Sequence, residues 1–308
     1  MPSITSYDRM LRAAAAVGPV PVAIAAAQES QLLAAACEAS ALGIARPILV
    51  GDAQEIGRLA EQQQLDISTL QVVDLPDAAA AADQTMRIVA QGAARVAIKG
   101  QMQTSRFLHA ALRRDAGLRT GQLVTHVGLF EVPGVDRLLF ITDGGVVLQP
   151  TRDQKVDIVS NAILAAHALG IERPRVALVA AADRVRPELP ATVEVAEVVA
   201  MEERWSDEAA WVDGPFQLDT AMSTRIAQQK GRAGRVAGRA DVLVGPDVES
   251  VNIMAKGITY FAGGRMAGLV LGARAPLVVG SRADPPYTRL VCMAAGALFA
   301  AWVDAQVL

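Results

Sequence analysis

The chain has 308 residues, 52% of them hydrophobic but only 4% aromatic, and a net charge of −3. That is enough apolar material for a sizeable core and two domains, filled by Ala, Val, Leu and Ile rather than by rings. The charge leaves no basic excess to neutralise a phosphate backbone, which argues against nucleic acid. The longest apolar run, Leu290 to Val303, is shorter than the roughly 20 residues that cross a bilayer, which argues against a membrane.

Taken in chain order, short β-branched runs alternate with longer Ala/Leu stretches of helical period. The expected elements are a helix Tyr7–Ala16, a strand Val20–Ala25, a helix Glu29–Ala41, a strand Arg46–Val50, and helices Ala53–Gln62 and Asp77–Gln91. A strand Arg95–Lys99, a helix Ser105–Asp115 and strands Leu123–Phe130 and Leu138–Thr142 follow. Then come a helix Asp153–Leu169, strands Arg175–Ala180 and Trp211–Asp213, a helix Thr220–Lys230 and a strand Asp241–Val244. The chain ends in a helix Val251–Phe261, strands Gly268–Gly272 and Leu277–Val279, and a helix Tyr287–Val303. This alternation predicts an α/β fold built on parallel sheet. Composition breaks at 143–152 and 282–286 suggest two α/β lobes, 1–145 plus 282–308 and 146–281. The basic stretch KGRAGRVAGRA, 230–240, reads as an exposed helix–strand loop. No charged, apolar leader opens the sequence. Cys37 and Cys292 lie far apart in apolar surroundings and read as two buried thiols. A soluble, cytoplasmic protein is expected.

Ligands of open α/β sheets bind at the carboxyl ends of strands, so the polar residues there are the candidates. In VAIKGQMQTS a strand delivers Lys99, Gly100 permits a tight turn, and Thr104 or Ser105 caps the next helix, a suitable anion site. The GxxxxGK[ST] spacing of a P-loop is missing. In the next pair of strands His126 lies inside the first and Asp143 ends the second, between a strand and two glycines. In VDGPFQLDTAMS, Asp219 reads as a cap and Asp213 as a turn or part of a site. In GPDVESVNIMAKG, Glu249, Asn252 and Lys256 share one helix face, and an Asn in a helix interior points to a polar, functional face rather than a solvated one. In APLVVGSRADPPYTR an apolar run ends in Ser281, Arg282 and Asp284, where the Arg fork suits phosphate.

Several segments in order, IKGQMQT, GLRTGQLVTHVGLFEVPGVDRLLFITDGG, VRPELPATVEV, VDGPFQLDTAMS, VAGRADVLVGPDVESVNI and GARAPLVVGSRAD, together resemble the phosphate acyltransferases, the butyryl- more than the acetyl-transferring ones. The resemblance covers nearly the whole chain. It implies two three-layer α/β/α lobes of the isocitrate/isopropylmalate dehydrogenase type with an interlobe active-site cleft. It also implies a homodimer, and acyl transfer between coenzyme A and inorganic phosphate. Coenzyme A is then a substrate, with no permanently bound cofactor and no metal. On that resemblance Arg282 binds phosphate and Ser281 assists the thiol or the transition state. Thr288 stands where the acetyl-transferring relatives place an aspartate as base, so Asp284, Glu249 and His126, in that order, are the candidates for the base. Lys99, Thr104, Asp143, Asn252 and Lys256 are expected to contact substrate. A nicotinamide-dependent dehydrogenase of related fold would need a G-x-G-x-x-G after a strand and, for its metal, a close aspartate set. Neither is evident here. A non-catalytic acyl-CoA or acyl-phosphate binder is the other alternative.

Overall fold

A computed structural model describes residues 2–201, 204–205, 209–280 and 284–307. Its elements in chain order are α1 (Tyr7–Val17), β1 (Val20–Ala25), α2 (Ser30–Ala41), β2 (Ala45–Gly51), α3 (Ala53–Gln62), β3 (Gln71–Asp74), α4 (Ala78–Ala90), β4 (Val96–Lys99) and α5 (Thr104–Leu112). A short 3-10 turn precedes β5 (Thr125–Glu131), β6 (Leu139–Thr142), α6 (Arg152–Ala168), β7 (Arg175–Val179), α7 (Pro190–Val199), β8 (Trp211–Phe216), α8 (Leu218–Met222) and α9 (Thr224–Gln229). The chain closes with β9 (Val242–Val244), α10 (Val248–Phe261), β10 (Arg265–Leu271), β11 (Leu277–Val278) and α11 (Pro286–Val307).

The chain divides into two compact units, one of residues 7–122 and 267–308, the other of 1–6 and 123–266. The expected breaks at 145 and 282 lie elsewhere. The reason is strand pairing: β6 pairs in parallel with β9, Thr142 opposite Val244, and antiparallel with β5, Val127 opposite Thr142. The hairpin before Asp143 therefore belongs to the second unit, and the Asp143 turn lies inside that unit rather than at its border.

In the first unit the strand order is β3-β2-β1-β4-β11 with β10 antiparallel on β11. β1 to β4 and β11 run parallel, with Ala25 opposite Lys99 and Val278 opposite Ile98. All four residues of β4 are buried, which is why it reads as a continuous apolar run rather than an alternating one. α11 is long and apolar enough to cross a membrane, but it is a core helix of this unit, packed on α1, α2, β1, β4 and β11. In the second unit the order is β5-β6-β9-β7-β8, parallel from β6 to β8. Its core gathers Phe130, Ile141, Val179, Phe216, Leu243 and Val251.

Most expected elements stand within two or three residues of their places. Two were not anticipated. β3 is an edge strand with only one of its four residues even half-buried, so no apolar pattern marks it. α7 carries the alternating PATVEVAEVV, a strand-like text, and it is helical because Pro190 opens it at the first helical turn. The expected helix Thr220–Lys230 is two helices, broken at Ser223, whose hydroxyl accepts from Ile226 N and caps the second. Gly238 packs against that break, where a Cβ would lie 2.4 Å from Thr224 N. The expected strand Trp211–Asp213 extends to Phe216.

Candidate functional site

The expected site residues fall into two groups, one in each unit. In the first unit, β1, β4 and β11 end side by side. Ala26, just past β1, has φ 50°, and the β4 turn closes onto it through Gly100 N to Ala25 O and Gln101 N to Ala26 O, each 2.8 Å. A Cβ at Gly100 would lie 2.2 Å from Ala26 O, so only glycine fits. Lys99, 2% exposed, donates from Nζ to Gly100 O and Met102 O, both at 3.2 Å. The ammonium thus sits at the strand end, braced by the turn. Thr104 does not cap α5. It is the first helical residue, exposed, while Gln103 holds the cap position without a side-chain bond. The first-turn N–H groups of α5 are therefore not satisfied by any side-chain cap.

Ser281 and Arg282 lie outside the described residues. Asp284 is described and half-buried. Its Oδ2 and Arg289 Nη1 lie 3.3 and 3.2 Å from the position a Cβ would take at Gly280. The carboxylate and a guanidinium therefore share the space above the end of β11. Arg289, 2% exposed, is ion-paired with Glu29, which follows β1. The pair ties the first turn of α11 to the start of α2. Neither Arg289 nor Glu29 was anticipated. The available signal was a lone guanidinium at the head of an apolar helix. Thr288 is buried. Cys292, one turn into α11, is buried. Desolvation pushes its thiol up to about 12, with the nearby Asp284 charge adding to the effect. Cys37 is half-buried and its thiol is also raised, by burial and by Asp66. Neither is a ready nucleophile.

In the second unit, β6, β9, β7 and β8 end along one edge, where β5 begins. Asp143, buried, has both oxygens filled. Oδ1 accepts from Gly145 N (2.8 Å) and Val146 N (2.9 Å), and Oδ2 from His126 N (2.9 Å) and Val147 N (3.2 Å). Its carboxylate shapes the 143–147 turn. Thr142 Oγ1 donates to His126 O at 2.7 Å, locking the start of β5 to the end of β6. The His126 ring lies over the two glycines. A Cβ at Gly144 would be 3.9 Å from its Nδ1. That Nδ1 is buried with no hydrogen-bond partner among the described residues. Burial holds the imidazole below its ordinary value, against the pull of the Asp143 charge, so the ring is neutral near pH 7.

Asn252 on α10 joins this group, Nδ2 donating to Gly144 O at 3.1 Å. Glu249 and Lys256 share its side of the helix, and all three are exposed, so this face is a solvated one, contrary to the expectation from the Asn. Farther along the edge, Lys230 Nζ donates to Asp183 Oδ2 (3.1 Å), Gln217 Oε1 (2.8 Å), Asp219 Oδ1 (2.8 Å) and Thr220 Oγ1 (2.9 Å). This clamp joins the loops after β7 and β8 and makes the first residue of the supposed exposed loop a structural hub. Asp219 serves Lys230, and the α8 cap position belongs to Gln217. Buried Lys155, paired with Glu194 at 2.5 Å, fastens α6 to α7. Asp213 lies within β8, its carboxyl raised by burial, and lines a pocket of about 530 Å³ with Trp205, Trp211 and Arg235. Among the described residues no three His, Cys, Asp or Glu side chains gather as a metal site.

Residues 79–295 match the family described as phosphate acetyl/butaryl transferase. The phosphate butyryltransferase of Clostridium beijerinckii is 40% identical over 296 residues, covering 96% of this chain and 98% of the relative. The phosphate acetyltransferase of Rhizobium meliloti is 37% identical over 297 residues, covering 96% and 94%. Among solved structures, a branched-chain phosphotransacylase from Enterococcus faecalis V583 superposes with a TM-score of 0.80 at 26% identity, covering 91% and 99%.

Proposed function

The chain belongs to the phosphate acetyl/butyryl transferase family, and from that premise we propose how it works: acyl-CoA and inorganic phosphate exchange to give acyl phosphate and free coenzyme A, reversibly, by direct displacement. The observation that carries this is the 40% identity over 96% of the chain to a named phosphate butyryltransferase. The transferase names of the relatives favour an enzyme over a non-catalytic binder.

In the forward direction a phosphate oxygen attacks the thioester carbonyl, and the thiolate leaves. In reverse the coenzyme A thiol loses its proton, attacks the acyl phosphate carbonyl, and phosphate leaves. A free thiol near pKa 8.5 is only a few per cent ionised at neutral pH, so a base helps. Asp284 is the proposed base, positioned by its neighbour Arg289. Arg282 neutralises the phosphoryl oxygens, and Ser281 with backbone N–H groups steadies the oxyanion. Lys99 adds a fixed positive charge at the adjacent strand end. His126, neutral, serves as a hydrogen-bonding group on the second unit's edge, with Asn252 fixing the turn beside it. Both groups are assigned to the one acyl transfer on the strength of the resemblance to the phosphate acyltransferases. The expected partners are coenzyme A, phosphate and a second copy of the chain, and the expected location is the cytoplasm.

Thiol release from acetyl-, propionyl- and butyryl-CoA with and without phosphate tests the proposal. Phosphate-dependent release from at least one of the three is expected. No release from any of them overturns it.

A further inference from the structure

The basic stretch KGRAGRVAGRA, 230–240, spends its Lys230 on the clamp at the ends of β7 and β8. Arg235 reaches the other end of the same strands. Its guanidinium carbon lies 5.2 Å from the ring centroid of Trp211, the first residue of β8. Beside this half of β8, the last strand in the sheet order, lies the cavity of about 530 Å³. Val199 and Val236 give it apolar walls, Trp205 and Trp211 two indole rings, and Asp213 and Arg235 two opposite charges. A concave space of this size, largely apolar with a few polar groups in set places, is the usual form of a small-molecule site.

The walls are fixed by their own contacts. Trp205 Nε1 donates to Val198 O at 3.2 Å, which holds that indole against the end of α7. Asp213 Oδ1 accepts from Gly214 N at 2.7 Å. Arg232 Nη2 stands 3.8 Å from the same oxygen, and its guanidinium packs on the Phe216 ring at 4.6 Å. Burial raises the Asp213 carboxyl, with Arg232 pulling the other way.

These charges discriminate between ligands. A simple anion would meet the guanidinium of Arg235 but also the carboxylate of Asp213, and a simple cation meets the reverse conflict. A ligand that suits both carries N–H donors and a negative group, on a flat body that can lie along the indoles. A free amino acid has both charges but no flat body, and is small for a cavity within the roughly 300–1,000 Å³ range of larger ligands. A purine nucleotide has every part: a π-face for the rings, N–H groups for a carboxylate, and a phosphate for a guanidinium fork.

We propose that this cavity binds a free purine nucleoside monophosphate, its base against the indoles of Trp205 and Trp211 with an N–H donating to Asp213 Oδ2, and its phosphate on Arg235. The site lies at the opposite end of β8 from Gln217, Asp219 and Thr220, and the inference does not rest on the acyl transfer. Coenzyme A carries a purine nucleotide of its own, so the test separates the two sources.

Trp205 and Trp211 are two of the three tryptophans. In a Trp302→Phe background, indole fluorescence excited at the red edge of its absorption therefore reports on the cavity alone. AMP and GMP, each titrated to several millimolar, are the probes. At least one is expected to quench saturably, while inorganic phosphate leaves the emission unchanged and coenzyme A does not displace the nucleotide. Arg235→Glu is expected to raise the Kd at least tenfold, with an unchanged far-UV spectrum and thiol release at the parent level. Asp213→Asn, which keeps the shape of the wall and removes its charge, is expected to raise it at least threefold. No saturable quenching by either nucleotide overturns the proposal. So does a Kd that either substitution leaves unchanged, equal quenching by phosphate alone, or displacement by coenzyme A.

Discussion

Replacing Arg289 by Met keeps an unbranched stem and removes the guanidinium with its charge. Arg289 is almost fully buried and Glu29, its partner, largely so. Removing one member leaves Glu29 uncompensated at the start of α2 and removes the guanidinium beside Asp284. Breaking a buried pair from one side costs about 3–5 kcal/mol, because the remaining charge has lost both water and partner. In a unit of this size, 1 kcal/mol moves the melting temperature by roughly 2–4 °C. Arg289→Met is therefore expected to melt about 6–20 °C below the parent by calorimetry. Glu29→Gln added to Arg289→Met neutralises the stranded carboxylate and should recover a substantial part of the loss. The double-mutant cycle then reports a coupling well outside the few tenths of a kcal/mol seen for independent sites. The same protein, assayed at a temperature where it is folded, should show a lower kcat because Asp284 has lost its neighbour. A variant that melts within 2 °C of the parent, or a cycle that closes to zero, would refute the assignment of the pair as the tie between α11 and α2.

Gly100→Ala forces a Cβ to 2.2 Å from a backbone oxygen, so the β4 turn must open. Activity should fall at least tenfold with phosphate KM raised, read by steady-state kinetics. Arg282→Ala should cost at least 100-fold in activity and raise the KM for phosphate with an unchanged far-UV spectrum. Asp284→Asn should abolish the acidic limb of the pH–rate profile in the thiol-attack direction, and an unchanged limb removes Asp284 as the base. Burial lowers the folded value of the His126 imidazole. Above the unfolded value near 6.5 both states are neutral and the ring adds no pH dependence. Below it the unfolded chain takes up a proton that the folded chain refuses, so stability falls with falling pH. Urea titrations between pH 7.5 and 5 should therefore show a shallower decline for His126→Gln than for the parent. Parallel curves would place the proton elsewhere.

The regular elements were legible because burial wrote them into the text. β4 and α11 are buried and apolar, and their ends are punctuated by Gly100 and by Pro285-Pro286. β3 left no such mark because water covers most of it. The strand-end rule singled out Lys99, Asp143 and Asp284, but not what their side chains do there. Asp143 looked ready for a ligand, yet backbone N–H groups two to four residues along, and that of His126, had already taken it. Lys230 looked like a loop lysine, yet its acceptors come from two separate stretches of chain, Asp183 and residues 217–220. Arg289 and Glu29 are 260 residues apart, and no local pattern connects them. Periodicity reports which face is buried, whereas ion pairs and turn-filling carboxylates depend on which distant strands end together.

The Asp143 turn has one more implication. Four N–H groups converging on one point form the kind of concavity that elsewhere takes up phosphate or carboxylate ligands. Here the concavity comes with its own tenant, supplied by the chain and tethered at zero distance. A mobile phosphate would have to evict a covalently attached rival of like charge. This turn therefore offers a free anion no vacant N–H donors. Asp143→Gly would vacate the concavity and convert a self-satisfied turn into an empty receptor for small anions.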